Sequence, residues 1–299
     1  NKNKYNIFED YIYGLFDEKF NLIKSTYKLW NEGTTITIND DHKLIIFMQV
    51  IPNNKNKIIF KNNIPVNIFV CNTEQLTVSL DNFIHNTDSF INYINTYNQS
   101  NINNNNQITF GICDYSMQNI DILKSSNAFT NIHIQYLPYQ YCKKDLQYLH
   151  RYNLHKNKVC TCGVIGPRRQ NIINNLLDEH SIIINNASGF LGPRDDIFNN
   201  HKIMLNISAD DKFTIYEHIR CDRLIFSGMV IISEKKIDYD KLDITDFIIW
   251  CDCKNFGPTI INTIKNYDNI IKQRDNNILK NIINNRSNIY IEFLTKFNN

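Results

Sequence analysis

The sequence predicts an α/β protein of two doubly wound halves, each a parallel sheet covered by helices on both faces. Three observations carry this. Runs rich in Ile, Val and Phe alternate with longer segments of helical periodicity in both halves of the chain. The alternation starts afresh near residue 150, after "KKDLQYLHRYNLHKN", a connecting helix or linker. With 299 residues, 42% of them hydrophobic, the chain has apolar surface enough for two cores.

The elements follow in order. "FDEKFNLIKSTYKLWNEG" spaces Phe16, Phe20, Ile23, Tyr27 and Trp30 as a helix ending at Gly33. "TTITI", "KLIIFMQVIP" and "IPVNIFVCNTEQL" read as strands, the last with a polar exit. A helix over "DNFIHNTDSFINYINTY" follows, then "NQSNINNNN", read as a solvated loop, and the strands "QITFGICDYS" and "NIHIQYLPYQY". In the second half "KVCTCGVIG" is a strand, "PRRQNIINNLLDEH" a helix, "SIIINNASG" a strand, "RDDIFNNHK" a short helix and "IMLNIS" a strand. "YEHIRCDRLIF" is a helix stopped at Gly228, "MVIISE" a strand, and "FIIWCDC" the last strand before a helical tail from about 259 to 297. The predicted domains are 1–150 and 151–299, with the C-terminal helix free to pack back on the first.

Several function classes are disfavoured at once. A net charge of +2 makes no electrostatic case for nucleic acid or a membrane surface. No apolar run approaches the roughly 20 residues of a membrane span. The chain opens on Asn1 with no signal-like stretch, as a fragment of a longer protein would. Most of the eight cysteines fall in strand-like runs, so they read as free thiols of a reducing compartment, and a cytoplasmic location is expected. The pairs "CTC" and "CDC" lack a C-x-x-C or H-x-x-H companion, so no metal site is predicted. The sequence holds neither G-x-x-x-x-G-K-[ST] nor G-x-G-x-x-G.

In doubly wound sheets the ligand lies beyond the carboxyl ends of the strands. The residues just after each predicted strand are polar: Asn72, Thr73, Glu74 and Gln75; Asp114, Tyr115 and Ser116; Gly166, Arg168 and Arg169; Gly189 and Gly192; Asn206 and Ser208; and Glu234. In "GVIGPRRQ", Gly166 is read as a tight turn and Pro167 as the first residue of a helix, which sets Arg168 and Arg169 at a helix N-terminus. Free N–H groups, the helix dipole and guanidinium forks all favour a phosphate there, without a metal, while two surface arginines making ordinary salt bridges are the equal alternative. Glu217, Arg220 and Arg223 recur at three-residue spacing and are expected to share one helix side. Intrahelical ion pairs, worth about 0.2–0.5 kcal/mol each, would account for that pattern but not for Glu234. A carboxylate ending a buried strand is placed to accept hydrogen bonds from the hydroxyls of a sugar or ribose.

"KIMLNISADDKFTIYEHIRCDRLIFSGMVIISE" resembles the donor-binding half of GT-B glycosyltransferases, and "GVIGPRRQNIINNL" resembles the loop and helix that open it. "CNTEQL", "CDYSMQN" and "YLPY" are similar to acceptor-side motifs of the same group, so the likeness covers about residues 65 to 250. The bias towards Asn, Ile and Lys, residues with A/T-rich codons, makes it resemble a giant-virus member, for which host cytoplasm or virion is the expected location. The resemblance implies two Rossmann-like domains facing a cleft and a nucleotide-diphosphate sugar donor, with UDP or GDP as the expected nucleotide. It also implies a glycan or protein hydroxyl as acceptor and no required cofactor. Gly166, Arg168 and Arg169 match the diphosphate loop, while Asn206, Glu217, Arg220 and Glu234 match donor-side positions. The chain departs twice: Ser208 stands where a histidine is usual, and Arg223 where familiar members carry a glutamate. An inverting enzyme would need a base from the first domain, with Glu74 and Asp114 the candidates; a retaining one would not. A nucleotide-sugar epimerase is disfavoured by the missing dinucleotide fingerprint. A glycan- or nucleotide-binding module that keeps the fold without catalysis is the alternative.

Overall fold

The computed structural model describes residues 35–38, 44–48, 57–60, 66–100, 107–141, 159–188 and 192–298. The predicted helix over 16–33, the linker near 150 and Gly189 lie outside the described residues. The chain divides into two compact units. The described residues up to Pro138, together with those from Asn288 onward, form one; those from Tyr139 to Ser287 form the other.

In the first unit, β2 (Leu44–Met48), β4 (Val66–Asn72), β5 (Ile108–Asp114) and β6 (His133–Tyr136) form a parallel sheet in that order, and β1 (Thr35–Ile38) pairs in parallel with β3 (Lys57–Phe60). Helices α1 (Leu76–Ser100) and α2 (Met117–Ser125) supply Phe90, Ile94 and Leu123 to a core with Ile68, Val70, Phe110 and Ile112. The opposite sheet face carries Phe69, whose ring meets Phe293 and Phe297 edge-on at centroid distances of 4.8 and 4.9 Å. Gly111 makes room for it: a Cβ there would lie 2.4 Å from the Phe69 ring.

Two elements here escaped the sequence pattern, β3 and α2. The latter has its signal in plain view, because Ser116 is an N-cap whose hydroxyl accepts from the Asn119 N–H. The Asn-rich stretch also begins later than expected. Asn98 belongs to α1, and its amide exchanges two hydrogen bonds, 2.9 and 2.8 Å, with the backbone of Ile108.

The second unit is a five-stranded parallel sheet built from β7 (Val159–Cys162), β8 (Ile184–Ala187), β9 (Ile203–Asn206), β10 (Val230–Glu234) and β11 (Ile248–Cys251), ordered β8-β7-β9-β10-β11. Its helices are α3 (Pro167–His180), α4 (Gly192–Asn199), α5 (His218–Phe226), α6 (Phe256–Lys265), α7 (Tyr267–Gln273) and, up to Ser287, α8 (Asn276–Asn298), whose remaining residues belong to the first unit. Strand residues alternate between two cores, which is why these strands are apolar on both faces. Cys160, Met204 and Ile231 pack with Phe198, Leu224, Ile225 and Ile282, from α4, α5 and α8. Val159, Ile203, Leu205, Val230 and Ile232 pack with Leu176, Phe256, Ile260 and Tyr267, from α3, α6 and α7. Each C-x-C pair shares a face, Cys160 and Cys162 on the first core, Cys251 and Cys253 on the second. Among the described residues every cysteine is a free thiol, and no helix is long and apolar enough to cross a membrane.

Numbered within this unit, the order is 2-1-3-4-5, and the chain reverses direction between its first and third strands, β7 and β9. A parallel sheet of this order opens a crevice for ligands outside the carboxyl ends of those two strands. The ladder between them is short. It holds Val159 to Ile203 and Cys160 to Met204, and one step further the Thr161 hydroxyl donates to the Leu205 carbonyl at 2.8 Å.

Candidate functional site

The crevice is built by three strand exits. After β7 the chain turns at Gly163, whose φ of +109° is a left-handed conformation that side chains avoid. A Cβ at that position would also lie 2.8 Å from an Arg169 guanidinium nitrogen. The turn predicted at Gly166 is thereby corrected. Gly166 is an extended N-cap at φ −88° and ψ 177°, open to any residue, and a Cβ there would meet nothing within 4 Å. It caps α3, a 14-residue helix, without a side-chain hydrogen bond, and Pro167, which has no N–H to satisfy, follows it.

The two adjacent arginines do different things. Arg169 is only 3% exposed, and its guanidinium donates to the carbonyls of Ile207 at 2.9 Å and Val164 at 2.7 Å. It therefore staples the β7 and β9 exits together across the switch point, with its guanidinium engaged by these carbonyls where a diphosphate contact was expected. Burial, and then the nearby Arg220, lower its pKa. Arg168 is partly exposed, with 22% of its side chain accessible. It donates to Asp211 at 2.5 Å, to the Ser208 carbonyl at 3.1 Å, and through both terminal nitrogens to Glu234.

Glu234 was expected to receive a ligand's hydroxyls, but its oxygens are largely taken by protein donors. Besides Arg168 it accepts from the Ser208 N–H at 3.0 Å, and Lys236 Nζ lies 3.5 Å away. Burial pushes its carboxyl up, yet Lys236, the Ser208 N–H and Arg168 outweigh burial and hold it at about 2. A depressed folded-state pKa means that this contribution is complete above the ordinary glutamate range and fades only as pH falls towards about 2. Lys236 is buried and also donates to the Ser208 hydroxyl and the Phe213 carbonyl. Burial draws its ammonium below the usual lysine range, with Glu234 opposing. The Cys253 thiol, 3.6 Å from Arg168, is pushed up to about 11 by burial and then by Glu234, which favours its neutral form.

Arg220 reaches the same crevice from α5. One guanidinium nitrogen donates to Asn206 Oδ1 at 3.4 Å, and another lies 3.9 Å from Glu217. Asn206 is 1% exposed and donates to the Ser233 hydroxyl, so it orients Arg220 instead of facing a ligand. Arg223 does not share the side of Glu217 and Arg220. It is 2% exposed and pairs with Asp195 through bonds of 2.8 and 3.1 Å. At 3.6 residues per turn each three-residue step slips back by about 60°, so two steps carry Arg223 to another face. Glu217 itself precedes the helix as its N-cap.

In the other unit, Asp114 is 1% exposed and accepts from Asn72 at 2.6 Å, from the Ser116 N–H at 2.8 Å and from Asn119 at 3.1 Å. Asn119 in turn donates to the Glu74 carbonyl and accepts from the Leu76 N–H. Asp114 thus joins two strand exits and is enclosed by these donors, whereas a general base must reach its substrate. The Glu74 side chain is exposed at the same edge.

No family model and no solved structure matches the chain. It does resemble uncharacterized proteins of Acanthamoeba polyphaga mimivirus, a giant virus. One is 30% identical over 236 residues, covering 72% of this chain and 28% of the relative. A second is 28% identical over 276 residues, covering 87% and 28%. A third is 34% identical over 136 residues, covering 44% and 43%. The chain spans 28% of the length of the first two.

Proposed function

We propose that the chain is a glycosyltransferase of the GT-B kind that uses a nucleotide-diphosphate sugar without a metal. The sugar passes to a hydroxyl of a glycan or protein, and the two units correspond to two Rossmann-like halves. The observation that carries the reading is the switch-point crevice, where the N-terminus of α3 adjoins Arg168 and Arg220 at the carboxyl ends of β7, β9 and β10. Helix N–H groups and guanidinium forks are the donors that a diphosphate leaving group needs, because they sit where negative charge grows as the sugar–phosphate bond breaks. Arg169 and Gly163 set the shape of the turn, Asn206 aims Arg220, and Glu234 holds Arg168 beside the helix terminus. UDP or GDP is the expected nucleotide. Glu74 remains the candidate base for an inverting reaction, since its carboxylate is exposed whereas that of Asp114 is enclosed.

The enclosure of Asp114 is also what favours the second reading, a binding module without catalysis. Incubation with UDP- and GDP-hexoses in the absence of acceptor separates the two. A transferase releases nucleoside diphosphate slowly to water, and the release falls in an Arg168→Ala variant. Binding of a nucleotide sugar with no release above the uncatalysed rate would identify the binding module.

A further inference from the structure

Arg168 cannot give its whole guanidinium to a phosphate while both terminal nitrogens hold Glu234. If it turned away with nothing to replace it, Glu234 would be left as a largely buried carboxylate, 15% exposed, with only the neutral Ser208 N–H and Cys253 thiol, a costly state. A substitute stands next to it. Lys236 Nζ is 3.5 Å from Glu234 Oε2, on the same oxygen that the Ser208 N–H reaches, and it is anchored on the Ser208 hydroxyl and the Phe213 carbonyl. An ammonium has three donors in rotatable geometry, so a small shift closes that gap.

We infer that Lys236 is a positioning residue of the donor site: it takes over Glu234 when Arg168 swings from that carboxylate to the diphosphate of the nucleotide. This deepens the donor-site reading above and rests on it. The ion pair then acts as a preset exchange. Without ligand, Arg168 is parked on Glu234 beside the α3 terminus. With ligand, the guanidinium meets phosphate, and Lys236 keeps the carboxylate paired.

The other neighbours bear on this exchange in defined ways. Asp211 holds Arg168 through Nε but is 85% exposed, so its pairing is weak in water. Cys253 touches the same guanidinium as a neutral thiol. Arg169 is fixed on two carbonyls and cannot substitute.

The test is a double-mutant cycle on binding of UDP and GDP, each measured against its nucleoside by calorimetry, in wild type, Lys236→Met, Glu234→Gln and the double variant. Lys236→Met is expected to weaken diphosphate binding about 10- to 100-fold, the range of a lost charge-assisted hydrogen bond, with nucleoside binding within about twofold. In the Glu234→Gln background the same substitution should cost less than about twofold, because no carboxylate remains to be kept paired. Lys236→Arg should restore most of the affinity. Equal losses in both backgrounds would mean that Lys236 contributes only its charge, and equal losses for diphosphate and nucleoside that it only props the fold; either overturns the exchange. If Lys236→Met does not fold, Glu234→Gln still decides, since it should bind diphosphate at least as tightly as wild type, and weaker binding overturns the exchange. Wild type that binds neither diphosphate overturns the donor reading itself.

Discussion

Replacing Arg286 by Met should lower the stability of the second unit by about 3–5 kcal/mol, the cost of orphaning one member of a buried ion pair. For a domain of this size that corresponds to a fall in melting temperature of roughly 6–20 °C. Arg286 is 1% exposed and reaches in three directions. It donates to Asp222 at 2.7 Å, to both oxygens of Asp243 at 2.8 and 2.7 Å, and to the Tyr139 carbonyl at 2.6 Å, while its guanidinium lies 5.7 Å from the centre of the Phe226 ring. It thus joins α8, α5 and the first residues of the unit. Asp222 is wholly buried, and without Arg286 it keeps only the His218 ring at 2.8 Å.

The pH dependence has a definite sign. Burial pushes the Asp222 carboxyl up, but His218 and then Arg286 outweigh burial and hold it below the ordinary aspartate range. Its contribution is therefore present above the unfolded value of about 4 and is lost as pH falls through the lower folded value. The gap between wild type and Arg286→Met should narrow in acid, because protonation relieves the orphaned carboxylate. A double variant Asp222→Asn, Arg286→Met should recover part of the loss. A single variant that melts within about 1 °C of wild type would contradict this account.

The second large effect belongs to ligand binding. Arg168→Ala should weaken nucleoside diphosphate binding about 10- to 100-fold and leave the nucleoside within about twofold, because the guanidinium is proposed to meet only the phosphates. Stability should change little. Arg168 is partly exposed, and Glu234 keeps the Ser208 N–H and Lys236 when it is gone. Arg168→Lys should fall between the two, since an ammonium keeps the charge but loses the planar fork. Equal losses for diphosphate and nucleoside would remove Arg168 from the phosphate site.

How much of this was written in the sequence depends on the distance over which each feature is encoded. The strands of the second unit were legible because parallel strands buried on both faces are compact apolar runs, and the α3 terminus was legible because Gly-Pro-Arg-Arg is a local signal. Arg168 and Glu234 were both picked as strand-exit residues, but their pairing spans 66 positions and no local pattern announces it. The same holds for Asp222 and Arg286, 64 apart. Burial was the other blind spot. Arg169, Asn206 and Asp114 looked like ligand contacts because they are polar and sit at strand ends, yet each satisfies backbone or side-chain groups where strands diverge. Lys236 lay two residues past the carboxylate where the sequence reading stopped, and only the contact with Glu234 gives it a role. Helix α2 was hidden by its shortness, although Ser116 caps it; the turn read at Gly166 lies at Gly163, which only the backbone φ reveals.

The central claim is that the crevice between β7 and β9 holds a nucleotide diphosphate, and a thermal-shift series on the wild-type chain with UDP-, GDP-, dTDP- and CMP-sugars tests it most directly. At 100 times Kd a ligand adds about 2.7 kcal/mol of stability. The account predicts that at least one diphosphate sugar raises the melting temperature by several degrees while the CMP-sugar, with a single phosphate, raises it less. No shift with any diphosphate sugar, or an equal shift with the monophosphate, would contradict it.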